Sequence, residues 1–148
     1  MFDWINRIFK KEKEKPISGF AKKYSEILQT SGSNSNESLE KKKPDFIASL
    51  TYRTTEEGGR KTAAMSGYRP AIKFPFSEML TSGGQYFPDV EKVYPGDTVK
   101  AEIRILGVDY FKNQLYENLE FEFYEGPTLI GTGIILEILN PMLQNSSR

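Results

Sequence analysis

The sequence predicts an all-β domain, an antiparallel sandwich or barrel, preceded by a short helical N-terminal arm. After residue 44, apolar residues alternate with polar ones, whereas before residue 30 they recur every three or four positions. Glycine and proline pairs divide the second part into about six short segments with no helical pattern between them. Periodicity alone does not choose between a sandwich and a barrel.

Length and composition restrict the functions open to the chain. Its 148 residues suit one core plus an appendage. The absence of Cys and His excludes disulfides, Cys/His zinc sites, thiol nucleophiles and imidazole bases. There is no apolar run of about 18 residues and no signal-peptide pattern, so a cytoplasmic location is expected.

The arm, residues 1–30, begins with an amphipathic pattern. Phe2, Ile5, Ile8 and Phe9 share one helix face and precede a run of lysines and glutamates. Residues 2–9 therefore suit either a membrane-surface anchor or a helix that docks on its own domain or frays in solvent. The second alternative is favoured, because about nine residues are short for an anchor.

A second helical pattern follows Pro16, with an apolar face that is expected to pack on something. This face consists of Phe20, Tyr24, Ile27 and Leu28. Residues 31–44 are polar and aperiodic, as in a flexible linker.

Charge is unevenly divided between the arm and the body. Residues 1–43 carry ten Lys/Arg and six acidic residues, a net charge of +4, and the whole chain sums to zero, so the remainder carries −4. Affinity for phosphate or lipid headgroups is therefore expected in the arm rather than in the body.

Residues 45–140 are predicted to form the β domain, and residues 141–148 a disordered tail. Alternating faces that share one core occur in Phe46–Arg53, Val99–Ile105 and Leu119–Tyr124. The segment Thr128–Leu139 is almost continuously apolar and is interrupted by two glycines, as in a strand that bends around a closed barrel.

The turns carry four motifs in a distinctive order. Glu57–Thr62 reads EGGRKT, Gly67–Pro70 reads GYRP, Val93–Asp97 reads VYPGD, and Phe121–Leu139 forms a closing hairpin. Together they resemble the C-terminal barrel domain of translation elongation factor Tu, over residues 45–140. The resemblance implies a six-stranded antiparallel closed β-barrel, present here without a GTPase domain.

These motifs have a structural interpretation before any functional one. Tight turns call for positive φ at Gly58, Gly59, Gly67 and Gly96, and Pro95 sets the following corner. The residues assigned to turns and bends are Gly58, Gly59, Gly67, Pro70, Pro95, Gly96, Asp97, Gly126, Gly131 and Gly133.

In the family that the chain resembles, this barrel performs no chemistry. It packs on the GTPase domain, helps to hold the T-stem of aminoacyl-tRNA and touches the nucleotide-exchange factor. The present sequence has neither the guanine-specifying Asn-Lys-x-Asp motif nor a Walker loop. We therefore expect no GTP binding, no cofactor, no metal and no enzymatic activity.

The tRNA-contacting hairpin departs from the family pattern. Where the family has Arg-Glu-Gly-Gly-Arg-Thr, this chain has Tyr124–Leu129, reading YEGPTL. Loss of both arginines removes charge-assisted contacts to phosphate, so tRNA binding is expected to be weakened.

The first functional hypothesis is a module that presents this barrel surface to a protein partner. The partner would belong to the translation apparatus, or would be a factor that targets elongation factor Tu and meets this chain as a decoy or immunity protein. Exposed Tyr and Arg commonly anchor interfaces. The predicted surface comprises Arg60, Lys61, Tyr68, Arg69, Tyr124 and Glu125.

Two alternatives remain. In an RNA-binding protein, Lys41–Lys43, Arg60 and Lys61 would follow phosphates while Tyr68 or Tyr124 stacks on an unpaired base. In an enzyme, Glu122 and Glu137 would serve as acid and base. The enzymatic interpretation is disfavoured because alternating acidic residues usually form a solvated strand face.

Overall fold

The computed structural model describes residues 42–147. The predicted helical arm and the linker up to residue 41 lie outside the described residues. The strands are β1 (Phe46–Tyr52), β2 (Ala64–Met65), β3 (Ala71–Lys73), β4 (Leu80–Tyr86), β5 (Lys92–Val93), β6 (Thr98–Ile105), β7 (Glu120–Glu125) and β8 (Thr128–Ile138), with a 3-10 helix at Val108–Phe111. Within residues 42–147, no helix is long and apolar enough to cross a membrane.

Six strands form a closed barrel in the order β1-β6-β4-β3-β7-β8. Every neighbouring pair is antiparallel, and the long β8 closes the barrel by pairing with both β7 and β1. The predicted six-stranded antiparallel closed barrel is therefore confirmed.

Alternation along the strands fills the barrel as the sequence predicts. In β1, Phe46, Ala48, Leu50 and Tyr52 are buried, while the residues between them point outward and retain exposure. Aromatic rings form the centre of the core. The centroid of the Phe74 ring lies 5.2 to 6.4 Å from its core partners Phe46, Phe111 and Phe121, which is the range of favourable aromatic contacts.

Two glycines in β8 make room for rings from β7. A Cβ atom at Gly133 would lie 2.3 Å from Cζ of Phe121. At Gly131 it would lie 2.5 Å from Cζ of Phe123 and 2.4 Å from the backbone oxygen of Thr51. No side chain fits at such distances, so these positions let the β7 rings lie directly against the barrel wall.

A second, two-stranded sheet lies outside the barrel. β2 and β5 pair with Ala64 opposite Val93 and Met65 opposite Lys92. Two-residue strands are too short to show an alternating pattern, which is why the sequence did not predict them.

The predicted disordered tail is wrong for residues 141–147. Leu143 is completely buried in the core, and its carbonyl accepts a hydrogen bond from the Leu115 amide at 2.8 Å. The Asn145 amide donates to the carbonyl of Leu115 at 2.7 Å. The apolar pair Met142–Leu143 is too short to show a periodicity, so the burial of Leu143 left no pattern in the sequence.

Asp45, which is 1% exposed, joins three chain segments at one end of the barrel. Its carboxylate accepts hydrogen bonds from the Ile105 amide at 2.8 Å and from the Asn140 side chain at 2.9 Å. The ammonium group of Lys42 lies 2.6 Å from the same carboxylate and also donates to the Ile105 carbonyl. The start of β1 is thereby tied to the end of β6 and to the segment after β8.

Replacing Asp45 with Ala is expected to lower the free energy of unfolding by about 3 kcal/mol, because it leaves buried donors without an acceptor. Urea unfolding of the full chain measures the change. Asp89→Ala is the matched control, since Asp89 is exposed. Equal unfolding midpoints for the two variants would contradict the role assigned to Asp45.

Gly133→Ala is expected to lower the free energy of unfolding by about 1 to 3 kcal/mol through overpacking against Phe121. The double variant Gly133→Ala/Phe121→Leu should lose less free energy of unfolding than the two single variants lose together, because the smaller side chain at position 121 makes room for the added methyl group. Thr132→Ala, at the neighbouring exposed position, is the control. Strict additivity in this double-mutant cycle would show that the ring and the glycine do not depend on each other.

Candidate partner-binding surface

Arg60, Tyr68 and Glu125 meet in one cluster, although they come from three different segments. Arg60 lies in the loop after β1, Tyr68 lies between β2 and β3, and Glu125 ends β7. The Arg60 guanidinium forms an ion pair with Glu125 Oε1. The Tyr68 hydroxyl donates to the same oxygen at 2.5 Å, and Arg60 Cζ lies 4.5 Å from the centroid of the Tyr68 ring.

The loop after β1 is shaped by its own hydrogen bonds. The Gly59 amide donates to the Thr54 carbonyl at 2.9 Å, and the Thr55 hydroxyl donates to the Arg60 carbonyl at 2.7 Å. Glu57 accepts bonds from the amide and the hydroxyl of Thr54. These bonds, first the one from the backbone amide, lower the pKa of the Glu57 carboxyl below its usual value.

Glycine serves two different purposes in these turns. Gly58, Gly67 and Gly96 have φ values of 103°, 98° and 92°, which confirms the predicted positive φ. Gly59 does not share that conformation, so the prediction is wrong there. A Cβ atom at Gly59 would lie 2.5 Å from the Arg53 carbonyl oxygen, and the position is instead restricted by close backbone approach.

Arg53 fastens the same loop to the barrel. Its guanidinium donates to the Leu129 carbonyl at 3.1 Å and to the carbonyl of Glu57. It therefore links the loop after β1 to the start of β8, next to the turn that carries Glu125. Sequence reasoning missed Arg53, since a charged residue at the end of a strand normally signals only exposure.

The cluster is connected to the barrel core through Tyr68. The Tyr68 ring lies 6.4 Å from that of Tyr52, whose hydroxyl donates to the buried side chain of Gln85 at 2.5 Å. The backbone amide of Gln85 in turn donates to the Tyr68 carbonyl at 2.8 Å. Burial raises the pKa of both phenols well above the ordinary value, and the hydrogen bond to Glu125 raises that of Tyr68 further.

Tyr124 is not part of the exposed surface, contrary to the prediction. It is 1% exposed, and its hydroxyl donates to the Glu122 carboxylate at 3.1 Å. The register of β7 and β8 shifts between Phe123 and Tyr124, so both consecutive side chains are buried. A bulge of this kind cannot be recognised from alternation.

The remaining predicted residues divide by exposure. Lys61 is exposed beside the cluster, whereas Arg69 is half-buried. Of the six predicted surface residues, the structure therefore brings Arg60, Tyr68 and Glu125 together and leaves Lys61 at their side. A depression of about 490 Å³, lined in part by Arg60, Lys61 and Glu125, adjoins them.

Two exposed apolar side chains next to the cluster were missed. Met65, which ends β2, is 53% exposed, and Tyr94, which directly follows the paired strand β5, is 55% exposed. The backbone connects Met65 to the cluster, because the Tyr68 amide donates to the Met65 carbonyl at 3.0 Å. We call Arg60, Met65, Tyr68, Tyr94 and Glu125 the loop surface.

The structure does not bring together the two carboxylates of the enzymatic alternative. Glu122 pairs with Thr132 across the hairpin, and Glu137 lies five residues farther along β8. At about 3.3 Å per strand residue, this places them roughly 16 Å apart. Within residues 42–147, no three acidic residues are grouped so as to hold a metal ion.

A comparison with protein-family models finds no family that matches the chain.

The raised pKa values of Tyr52 and Tyr68 predict a loss of stability at alkaline pH. Above the ordinary value of 10.0, the folded state retains protons that the unfolded state releases, so stability falls as pH rises beyond it. In a tyrosinate absorbance titration, Tyr52 and Tyr68 should ionise only when the chain unfolds. Tyr68→Phe should therefore remove amplitude from the phase that accompanies alkaline unfolding; an unchanged amplitude of that phase would contradict the prediction.

Proposed function

We propose that this chain is a non-enzymatic binding module that offers the loop surface to a protein partner. The observation that supports this most strongly is the cluster of Arg60, Tyr68 and Glu125, held together by an ion pair, a hydrogen bond and a cation–π contact. Side chains ordered before binding lose less conformational entropy when a partner arrives. A cluster that is ordered in this way is suited to binding a protein partner.

The composition of the loop surface favours a protein partner. Arg, Tyr and Met are enriched at protein interfaces, and Tyr and Arg carry much of the binding energy there. Met65 and Tyr94 each expose more than half of their surface. Burial of both side chains by a partner would contribute a hydrophobic centre beside the polar cluster.

RNA binding is the second candidate, supported by the exposed Lys61. The charge of the cluster argues against it, because the Arg60 guanidinium is already paired with the Glu125 carboxylate. A phosphate approaching Arg60 would meet that carboxylate as well. The pair thus contributes no net positive charge, and strong electrostatic attraction of nucleic acid requires one.

We further propose that the barrel is related to the C-terminal domain of elongation factor Tu, and that the module acts by mimicry. Three of the four motif segments that resemble the factor supply Arg60, Tyr68 and Glu125, so family-like positions converge on the loop surface. A partner that binds elongation factor Tu would then also bind this chain. Such a partner is either a translation component or a factor directed against elongation factor Tu.

The test is capture of partners from lysate of the native cell on the tagged full chain, with purified elongation factor Tu added as competitor. A captured protein should be displaced by the factor and should resist moderate salt. Tyr94→Ala should reduce its recovery at least about fivefold, as loss of an interface anchor does. Met142→Ala, at an exposed apolar residue outside the loop surface, is the matched control.

Other outcomes have distinct meanings. A protein that is lost on Tyr94→Ala but is not displaced by the factor would retain the binding module and overturn mimicry. Recovery of RNA that disappears at moderate salt would instead favour the second candidate, because phosphate contacts weaken steeply with ionic strength.

A further inference from the structure

A groove of about 610 Å³ lies on the outer surface of the barrel, on the side formed by β1, β8 and β7. Its lining includes the apolar side chain of Ile134 and four charged side chains, Lys73, Glu78, Glu120 and Glu122. Three carboxylates against one ammonium group leave a net charge of −2. The groove is therefore acidic and partly apolar, and it is separate from the loop surface.

The apolar character continues along β8 beyond the groove. Ile134 is 40% exposed and Leu136 is 46% exposed, and both alternate with the buried Gly133 and Ile135. They consequently point to the same outer side of the barrel. Two large aliphatic side chains next to each other on an outward strand face suit an apolar ligand.

Residues 20–28 of the same chain have the complementary pattern. Their four apolar side chains recur at helical spacing, and the segment also carries Lys22, Lys23 and Glu26, a net charge of +1. A helix with this sequence would bring an apolar stripe to Ile134 and Leu136. Lys23, at the margin of that stripe, would face the carboxylates of the groove.

The chain reaches the groove easily. The described part begins at Lys42, which is bonded to Asp45 and to the Ile105 carbonyl at the end of the barrel where β1 starts. Ser49 lines the groove and pairs with Ile134 of β8. Ser49 lies four residues after Asp45, which is about 13 Å along the strand. Residues 29–41 number thirteen, and a flexible chain of that length spans about 20 Å on average.

We propose that residues 20–28 dock as an amphipathic helix in the groove on the outer face of β8, with their apolar face against Ile134 and Leu136. The short connection gives the segment an effective concentration in the millimolar range, which favours it over a second copy of the chain. The arm is thereby held by its own barrel.

Amide hydrogen exchange of the full chain tests the proposal, with residues 20–28 followed as one peptide. Ile134→Asp should accelerate exchange in that peptide at least about tenfold, because it places a charge in the apolar contact. Val90→Asp is the matched control: Val90 is also aliphatic and is 41% exposed, and it lies outside the groove. Exchange in the β6 peptide verifies that both variants remain folded.

A second pair of variants tests the arm itself. Ile27→Asp should abolish protection of residues 20–28, whereas Ser25→Asp, off the apolar face, should preserve it. Absence of protection in the wild-type chain would overturn the proposal, as would protection that survives Ile134→Asp. Protection that decreases on dilution would assign the groove to a second copy and would also overturn it.

Discussion

Two glycines of β8 lie against two phenylalanine rings of β7, and this contact holds the barrel closed. Phe121 and Phe123 project into the barrel and lie against Gly133 and Gly131, which have no side chains to obstruct the rings. Their rings then reach Phe46 and Tyr52 with centroids 5.8 and 5.2 Å apart. Since β8 also pairs with β1, the same contact determines how closely the first and last strands of the barrel approach each other.

The loop surface inherits its geometry from this closure. Glu125 ends β7, so its position follows from the hairpin that the ring contacts hold in place. The individual bonds to Arg60 and Tyr68 are weak, since an exposed ion pair contributes about 0 to 1 kcal/mol and an exposed cation–π contact about 0.5 to 1 kcal/mol. The strands hold the three residues in position, and the polar contacts between them favour one arrangement of the loops.

Sequence reasoning was most successful where the pattern was long. The faces of β1 and β6, and that of β7 as far as Phe123, were predicted residue by residue, because each alternates over several positions between marked turns. Positive φ at Gly58, Gly67 and Gly96 followed from turn chemistry. The closed form of the barrel was expected from the resemblance of the turn motifs, since alternation is identical in a sandwich and in a barrel.

The failures have local physical causes. Tyr124 was assigned to the exterior because a one-residue register shift reverses the side of a strand without changing its composition. Leu143 was assigned to a disordered tail because its burial depends on a distant backbone partner, Leu115. For the candidate surface, the sequence indicated which types of residue to expect. It did not indicate that Arg60, Tyr68 and Glu125 contact one another, because they come from separate segments that meet only when the barrel closes.

The closed order of the six strands also limits how this protein can recognise anything. Each barrel strand already has a hydrogen-bonded neighbour on both sides, so a partner's peptide cannot join the barrel as an additional strand. Within residues 42–147, the strands with an unpaired edge are β2 and β5, each only two residues long. Recognition must therefore be achieved by side chains and loop backbone, which also protects the barrel from edge-to-edge aggregation.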